Sequence, residues 1–220
     1  MIYVTGDTHG EIERFENRRI RSLGKKDCLI ICGDFGFIWE NSPKEKALLH
    51  KIGSKRYKTL FIDGTHENFD LLSAYPVTEL YGGKVHHISG NLYHLMRGEI
   101  YTIEGKTFFA FGGGESMDKD FRQENGTWWK AEQPTEEEIA YAAHNLEKHQ
   151  YTVDYIITHQ PSMNDMGMVT GRRKVSRLSA FFETLSQNVR YQKWYFGSLH
   201  QDKVLRHSQC LFTEVEKIIG

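Results

Sequence analysis

Short apolar runs alternate with amphipathic stretches over the first 75 residues, and this alternation constrains the fold more than any other feature. Apolar runs at 2–5, 28–32 and 60–62 are separated by two segments whose apolar residues recur at helical spacing. The order strand, helix, strand, helix, strand is typical of parallel βαβ units. The sequence therefore predicts an α/β domain that begins with a parallel sheet.

The middle of the chain has a different pattern, because glycine-containing turns separate its apolar runs. The runs cover 85–88, 92–95, 100–103 and 108–111. Short runs joined by such turns predict antiparallel strands connected as hairpins.

The last part of the chain returns to alternating helices and strands. Thr135 and Glu138 form a capping-box pattern that predicts the start of a helix, which ends near Gln150. Later apolar runs predict one strand, one helix and three short strands, at 155–158, 178–185, 194–196, 203–205 and 210–213. Together these elements predict a four-layer α/β/β/α sandwich, in which two mixed sheets pack face to face and helices flank them.

Composition limits the class of protein. With 220 residues, 39% hydrophobic side chains and a net charge of -1, the chain is expected to form one domain over residues 1–220 without a general nucleic-acid-coating role. Three cysteines, two of which flank a buried strand, indicate a reducing compartment. A strand follows Met1 directly and no apolar run approaches the roughly 18 residues of a membrane span, so we expect a cytoplasmic protein without a signal peptide or membrane contact. The oligomeric state is left open.

Five predicted strands end at residue types that bind metals or transfer protons. These blocks are Gly6-Asp7-Thr8-His9-Gly10, Gly33-Asp34-Phe35-Gly36, Gly64-Thr65-His66-Glu67-Asn68, Thr158-His159-Gln160-Pro161 and Gly197-Ser198-Leu199-His200. Ligands of open α/β sheets bind beyond the carboxyl ends of the strands, so the five loops are expected to converge on one site. Glycine before four of the blocks is expected to allow sharp turns of the backbone.

The order of these blocks resembles the calcineurin-like metallophosphoesterase family. The family's motifs run Asp-x-His, Gly-Asp, Gly-Asn-His followed by Glu or Asp, a lone His, and Gly-His-x-His, and the resemblance extends from Asp7 to His200. It implies a two-metal site whose ligands match Asp7, His9, Asp34, His159 and His200. Asp7, His9 and His200 would hold the first ion, and His159 would bind the second.

The resemblance also implies catalytic roles. Asp34 would bridge the two ions, and His66 matches a histidine that contacts the substrate phosphate and assists the leaving group. Mixed carboxylate and imidazole ligands suit Mn²⁺, Fe or Zn²⁺, of which we expect Mn²⁺. The implied reaction is hydrolysis of a phosphomonoester or phosphodiester by metal-activated water.

Two positions depart from the family pattern. Thr65 replaces the asparagine ligand and Ser198 replaces the first histidine of the last motif, and both lost ligands serve the second ion. Their hydroxyls are expected to be weak or water-mediated ligands, which predicts one firmly bound ion, one weakly bound ion and attenuated activity. The alternative is a degenerate member that binds a phosphorylated ligand or a protein partner without turnover.

A segment from Gly112 to Arg122, followed by Trp128-Trp129, resembles a segment of a bacterial and phage branch of the family. Arg122, with Lys119, is the candidate here for holding substrate phosphate. The two tryptophans fit either stacking on a base or sugar, or packing over the core.

A basic cluster at 172–177 fits either a solvated face or a rim that steers an anionic substrate. A nuclease role for it is less favoured because the whole chain is nearly neutral. The expected substrate is a phosphorylated small molecule, a nucleotide or a phosphoprotein. Histidines outside the five blocks, such as His94, are expected to be ordinary polar residues.

Overall fold

The structure, a computed structural model, describes residues 1–219. Its strands are β1 (Ile2–Thr5), β2 (Cys28–Ile31), β3 (Lys58–Phe61), β4 (Val77–Leu80), β5 (Gly83–Ser89), β6 (Leu92–Leu95), β7 (Glu99–Ile103), β8 (Lys106–Phe111), β9 (Tyr155–Thr158), β10 (Lys193–Phe196), β11 (Lys203–Val204), β12 (Ser208–Cys210) and β13 (Val215–Ile219). Its α-helices are α1 (Arg18–Arg21), α2 (Pro43–Gly53), α3 (Phe69–Ser73), α4 (Lys119–Glu124), α5 (Glu136–Lys148), α6 (Met163–Thr170) and α7 (Arg177–Asn188). Short 3₁₀ helices occur at Ile12–Glu16 and Lys130–Glu132.

The strands form two mixed sheets. The first has seven strands in the order β13-β1-β2-β3-β6-β5-β4, and the second has six in the order β11-β12-β10-β9-β8-β7. In each sheet the central strands are parallel, and antiparallel strands cover both edges. The predicted α/β class with two mixed sheets is confirmed.

The alternation of side chains along each strand produces the layers. In β2, Ile30 packs between the two sheets while Leu29 packs against helices on the outer face of the first sheet. In β9, Ile157 lies between the sheets and Ile156 faces the core under α5 and α7. Because successive side chains of a strand point to opposite faces, each apolar strand contributes to two cores. The result is the predicted arrangement of helices, sheet, sheet and helices.

Local signals account for several boundaries. The capping box of Thr135 and Glu138 is present at the start of α5, and β1 and β9 have the predicted bounds. The first predicted helix is divided into a 3₁₀ turn and α1 at Asn17, whose side chain caps α1.

Other predictions are corrected. The middle strands are not one run of hairpins, because β6 lies in the first sheet and β7 in the second. The last predicted strand, 210–213, is observed as β12, which ends at Cys210. Five strands and α-helices were not anticipated, namely α3, β4, α4, α6 and β13.

Two further expectations concern membrane-spanning segments and the oxidation state of the cysteines. Within residues 1–219, none of the helices combines the length and apolarity needed to cross a membrane. Cys28, Cys32 and Cys210 are buried and carry free thiols. The expectation of a single domain stays a prediction.

Leu60 tests the core between the sheets, because its side chain is fully buried there. Leu60→Ala should lower the free energy of unfolding by about 2–5 kcal/mol, since the packed sheets cannot close around the cavity. Val204→Ala, on the exposed edge strand β11, is the control and should change it by no more than about 0.5 kcal/mol. Urea denaturation measures both, and equal losses would contradict this assignment of the core.

Candidate metal centre

The five predicted blocks meet where the carboxyl ends of strands from both sheets face each other. The first sheet supplies the loops after β1, β2 and β3, and the second supplies the loops after β9 and β10. The residues brought together there are Asp7, His9, Asp34, Thr65, His66, His159, Ser198 and His200. The predicted convergence of the loops is therefore observed in the structure.

Glycine allows these loops to approach closely. Gly33 has φ +92°, and a Cβ at this position would lie 2.2 Å from His159 Nδ1. Gly64 does not have a positive φ, but its Cβ would lie 2.1 Å from Asp34 Oδ1. The expected sharp turn thus applies at Gly33, whereas Gly64 is needed because a carboxylate occupies the space of a side chain.

Four residues form a compact cluster of possible ligand atoms. They are Asp7, His9, Asp34 and His200, and one ligand atom from each lies within 4.8 Å of all the others. His9 Nε2 is 2.9 Å from His200 Nε2, and His200 Nε2 is 3.4 Å from Asp7 Oδ2. Two nitrogen ligands held about 2.1 Å from one ion at a right angle stand about 3 Å apart, so this spacing suits a shared cation.

The Asp34 carboxylate contacts residues from the loops of both sheets. Its Oδ1 accepts hydrogen bonds from the backbone N–H groups of Thr65 (2.6 Å) and His66 (2.9 Å), and lies 3.4 Å from His159 Nε2. Its Oδ2 is 2.8 Å from His66 Nδ1. Burial raises the pKa of Asp34, but attraction to His159 and the hydrogen bond with His66 outweigh it and hold the pKa well below its usual range. Asp34 is therefore a fixed anion.

Asp7 is a second buried anion. Burial raises its pKa, but hydrogen bonds with His159 and His200 outweigh this and lower it. Burial lowers the pKa of His159, but attraction to Asp34 and the contacts with Asp7 raise it to about 10. His159 is 1% exposed and lies 3.4 Å from Asp7 Oδ1 and 3.4 Å from Asp34 Oδ1, so its imidazolium form would offset one of the two carboxylate charges.

The hydrogen bonding of His66 determines which of its two ring nitrogens is available to a ligand. Its Nδ1 faces Asp34 Oδ2, and because a carboxylate only accepts hydrogen bonds, Nδ1 must carry the proton in that contact. The side chain is 37% exposed. Nε2 is therefore the nitrogen left for a ligand.

Thr65 and Ser198, the two departures from the family pattern, contact the carboxylates differently. Thr65 Oγ1 lies 3.4 Å from Asp34 Oδ1 and 3.1 Å from His66 Nδ1. Ser198 donates its backbone N–H to both oxygens of Asp7, at 2.9 and 3.2 Å. Among residues 1–219, the cluster of Asp7, His9, Asp34 and His200 is the one group of three or more carboxylate, imidazole or thiol ligands, and His159 falls outside it.

The residues present fit a divalent metal ion. Two buried carboxylates with partly exposed imidazoles on one side form a donor set of the kind that suits Mn²⁺, Fe or Zn²⁺. The backbone N–H groups on Asp7 and Asp34 orient these carboxylates, as the surrounding contacts of metal ligands commonly do.

Arg122 is placed differently from the other predicted site residues. Its side chain is buried, donates to the carbonyl of Thr127 and to Ser116 Oγ, and pairs with Glu132 at 3.4 Å. Its role in holding substrate phosphate stays a prediction, and it would require this buried ion pair to open.

The neighbouring aromatic residues also have partners within the protein. Trp129 donates Nε1–H to Asp70 and packs edge-to-face on Trp39, while the Lys119 ammonium lies 4.7 Å from the ring centre of Trp128. These contacts favour the packing interpretation for Trp129.

Glu67 is a buried residue beside the site to which the sequence analysis gave no role. Glu67 accepts backbone N–H groups from Phe35 (2.7 Å) and Gly64 (3.0 Å), and so ties two of the loops together. Burial, with repulsion from Asp34 and Asp63, raises the pKa of Glu67 to about 8. The position of Glu67 directly after His66 was the sequence signal that could have linked it to the site.

His94 is not the ordinary polar residue that was expected. It is buried, with Nε2 3.0 Å from Asp63 Oδ1, and Arg97 pairs with the other oxygen of Asp63 at 2.6 Å. This ion pair anchors the residue that directly precedes Gly64. No sequence signal linked these positions, because the contact joins different strands.

Comparison with known proteins identifies the family of this chain. Its sequence matches the calcineurin-like phosphoesterase family over residues 1–206, whereas no curated protein matches it. Among solved structures, it is similar to a Staphylococcus aureus protein described provisionally as a 5'-nucleotidase and solved in complex with α-ketoglutarate, with 13% identity and a TM-score of 0.48. That alignment covers 96% of this chain and 48% of the other, so this chain spans about half the length of that protein. Because the family match extends over most of its length, the chain belongs to the calcineurin-like phosphoesterase family.

Proposed function

We propose that this protein is a metal-dependent phosphoesterase that hydrolyses a phosphomonoester or phosphodiester with attenuated activity. The observation that carries the proposal is the cluster of Asp7, His9, Asp34 and His200 at the junction of the two sheets. The family match supports the same reaction class. Substrates that fit are a phosphorylated small molecule, a nucleotide or a phosphoprotein.

The metal set that we propose is asymmetric. Asp7, His9, Asp34 and His200 would hold one ion firmly, with Mn²⁺ the best match to their donor atoms. A second ion would have Asp34 and His159 as its strong ligands, since Thr65 and Ser198 offer only hydroxyls. Bound ions would supply a more acidic water near neutral pH and neutralise charge on the phosphoryl oxygens.

His66 would act on the substrate. Asp34 holds its Nδ1–H at 2.8 Å and so directs Nε2 away from the carboxylate. In the imidazolium form, Nε2–H can donate a proton to the leaving-group oxygen. Asp34 would thereby orient the proton donor while it also acts as a metal ligand.

A degenerate protein that binds a phosphorylated ligand without turnover is the second candidate. The observation that favours it is that Ser198 contacts Asp7 through its backbone N–H and offers no imidazole to a second ion. Metal analysis of the purified protein, with an Mn²⁺-supplemented assay on p-nitrophenyl phosphate and bis-p-nitrophenyl phosphate, separates the two. Turnover of either ester supports the phosphoesterase, and bound metal without any turnover supports the degenerate protein.

The role of His66 is tested by His66→Ala. Turnover should fall by about 10² to 10⁴, as expected for loss of a general acid, while metal content stays unchanged. His144→Ala, an exposed histidine on α5, is the control and should leave turnover unchanged. Loss of metal from the His66 variant would instead indicate a ligand.

The charge of His159 makes a prediction about pH. In metal-free protein, its raised folded pKa contributes stability that is complete below about pH 6.5 and is lost as the pH rises toward 10. The free energy of unfolding should therefore fall by up to about 1.4 kcal/mol per pH unit over that range. His159→Gln should reduce this slope, and so should saturating metal, because a ligating imidazole must be neutral. Urea denaturation with EDTA measures the slope, and parallel pH curves for the two proteins would contradict the assignment.

The two departures from the family pattern can be reversed together. Wild-type protein should retain close to one ion after dialysis and need excess Mn²⁺ for activity. Thr65→Asn combined with Ser198→His should raise the metal content toward two and increase turnover by more than the single changes predict, since both furnish the same ion. Two tightly held ions in the wild type would contradict this prediction, because its own side chains would then suffice to bind both ions.

A further inference from the structure

A cleft of about 710 Å³ lies beside the candidate metal centre. One wall is formed by Gly114–Glu115 and the segment 130–137, and the other by residues 176–178. Residues 114–115 follow β8, and 176–178 belong to the connection that leaves β9 and enters α7. β8 and β9 are parallel neighbours, so the cleft lies at the same strand edge as His159.

Gly114 connects the cleft to the metal centre. It lines the cleft, and a Cβ on it would lie 2.8 Å from Thr65 Cγ2 and 2.9 Å from the Gln160 side chain. Gln160 Nε2 also donates to the carbonyl of Glu115, at 3.3 Å. One backbone residue without a side chain therefore separates Thr65 from the cleft. The cleft and the loop that carries Thr65 and His66 therefore lie on opposite sides of Gly114, within one residue of each other.

Two ion pairs join the walls. Lys174 contacts Glu115 at 2.8 Å, and Arg177 contacts Glu136 at 3.0 Å. In the second pair both side chains are more than half exposed, and exposed pairs of this kind contribute little to stability. A ligand with hydrogen-bonding groups can exchange with them, so the pairs do not close the cleft.

The charge balance of the rim indicates the kind of ligand. The lining includes two cationic side chains, Lys130 and Arg177, and three acidic ones, Glu115, Glu136 and Glu137. Lys174, outside the lining, pairs with Glu115. The rim therefore offers no excess of positive charge for a polyanion such as a nucleic-acid strand. Donors and acceptors of both kinds suit a neutral, hydroxylated group, and the volume lies within the range of small-molecule sites.

We propose that this cleft binds the leaving group of the substrate, and that this group is a neutral polar ring system of sugar or nucleoside size. The inference rests on the proposed phosphoesterase function. It makes Arg177 and Gln133, which line the cleft, determinants of substrate choice without a part in the chemistry. Small aryl esters would react without using the cleft.

The first experiment compares kcat/KM for p-nitrophenyl phosphate, glucose 6-phosphate and AMP. Gln133→Trp should fill the cleft and lower kcat/KM for the sugar or nucleoside ester at least tenfold through KM, with p-nitrophenyl phosphate within twofold of wild type. Arg177→Ala should have a smaller effect in the same direction. Gln187→Trp on the exposed part of α7, and Arg21→Ala from an exposed ion pair, are the matched controls and should behave as wild type.

A second measurement does not depend on turnover. Calorimetry with free adenosine and free glucose should show that at least one binds wild-type protein and the Gln187→Trp control, and that Gln133→Trp loses this binding. Absence of binding by either, or equal kinetics of wild type and Gln133→Trp on every ester, would overturn the inference. Turnover of a phosphoserine peptide but of neither small ester would overturn it in favour of a protein substrate. Failure of wild type to hydrolyse any ester, with calorimetric binding retained, would refute only the phosphoesterase function.

Discussion

Two buried carboxylates facing each other between the sheets, Asp7 and Asp34, set the main constraint on this structure. A buried charge is costly unless a hydrogen bond and an opposite charge compensate it. Backbone N–H groups of Thr65, His66 and Ser198 supply the hydrogen bonds, and His159 supplies the charge. The loops that carry these groups come from both sheets. The position of each loop is thus determined by the need to compensate the same pair of anions, and a divalent ion would meet that need more fully.

Local backbone conformation reflects the same constraint. His9, Asp34, Ser198 and His200 all have positive φ, between 40° and 67°. Residues with a side chain are uncommon in this region, and where they occur together they often belong to functional sites. Here tight turns directly after the strands bring the side chains of His9, Asp34 and His200 together, and bring the backbone N–H of Ser198 to Asp7. The surrounding packing, including the contacts of Gly33 and Gly64, holds these turns in place.

Much of this arrangement could be predicted from sequence, because it depends on local patterns. Apolar runs gave the central strands, and the position of each polar block directly after a strand gave the convergence at one edge. Contacts between distant segments could not be predicted in this way. The buried pair of Arg122 with Glu132 is one such contact, and the role of Arg122 in holding substrate phosphate stays a prediction. His94 was expected to be an ordinary polar residue but contacts Asp63. The strand β13 pairs with β1 at the other end of the chain, a contact that no local pattern encodes.

The assembly of the centre from both sheets has a consequence for how the protein would lose its structure. His9 and His200 are 191 positions apart in the sequence, yet their Nε2 atoms are 2.9 Å apart. An ion held by both would tether the two sheets across nearly the whole chain, and such long closures restrict the unfolded chain most. Metal binding would then add to the free energy of unfolding, and removal of the ion would lower it. Cells short of the metal would face a less durable protein as well as a less active one.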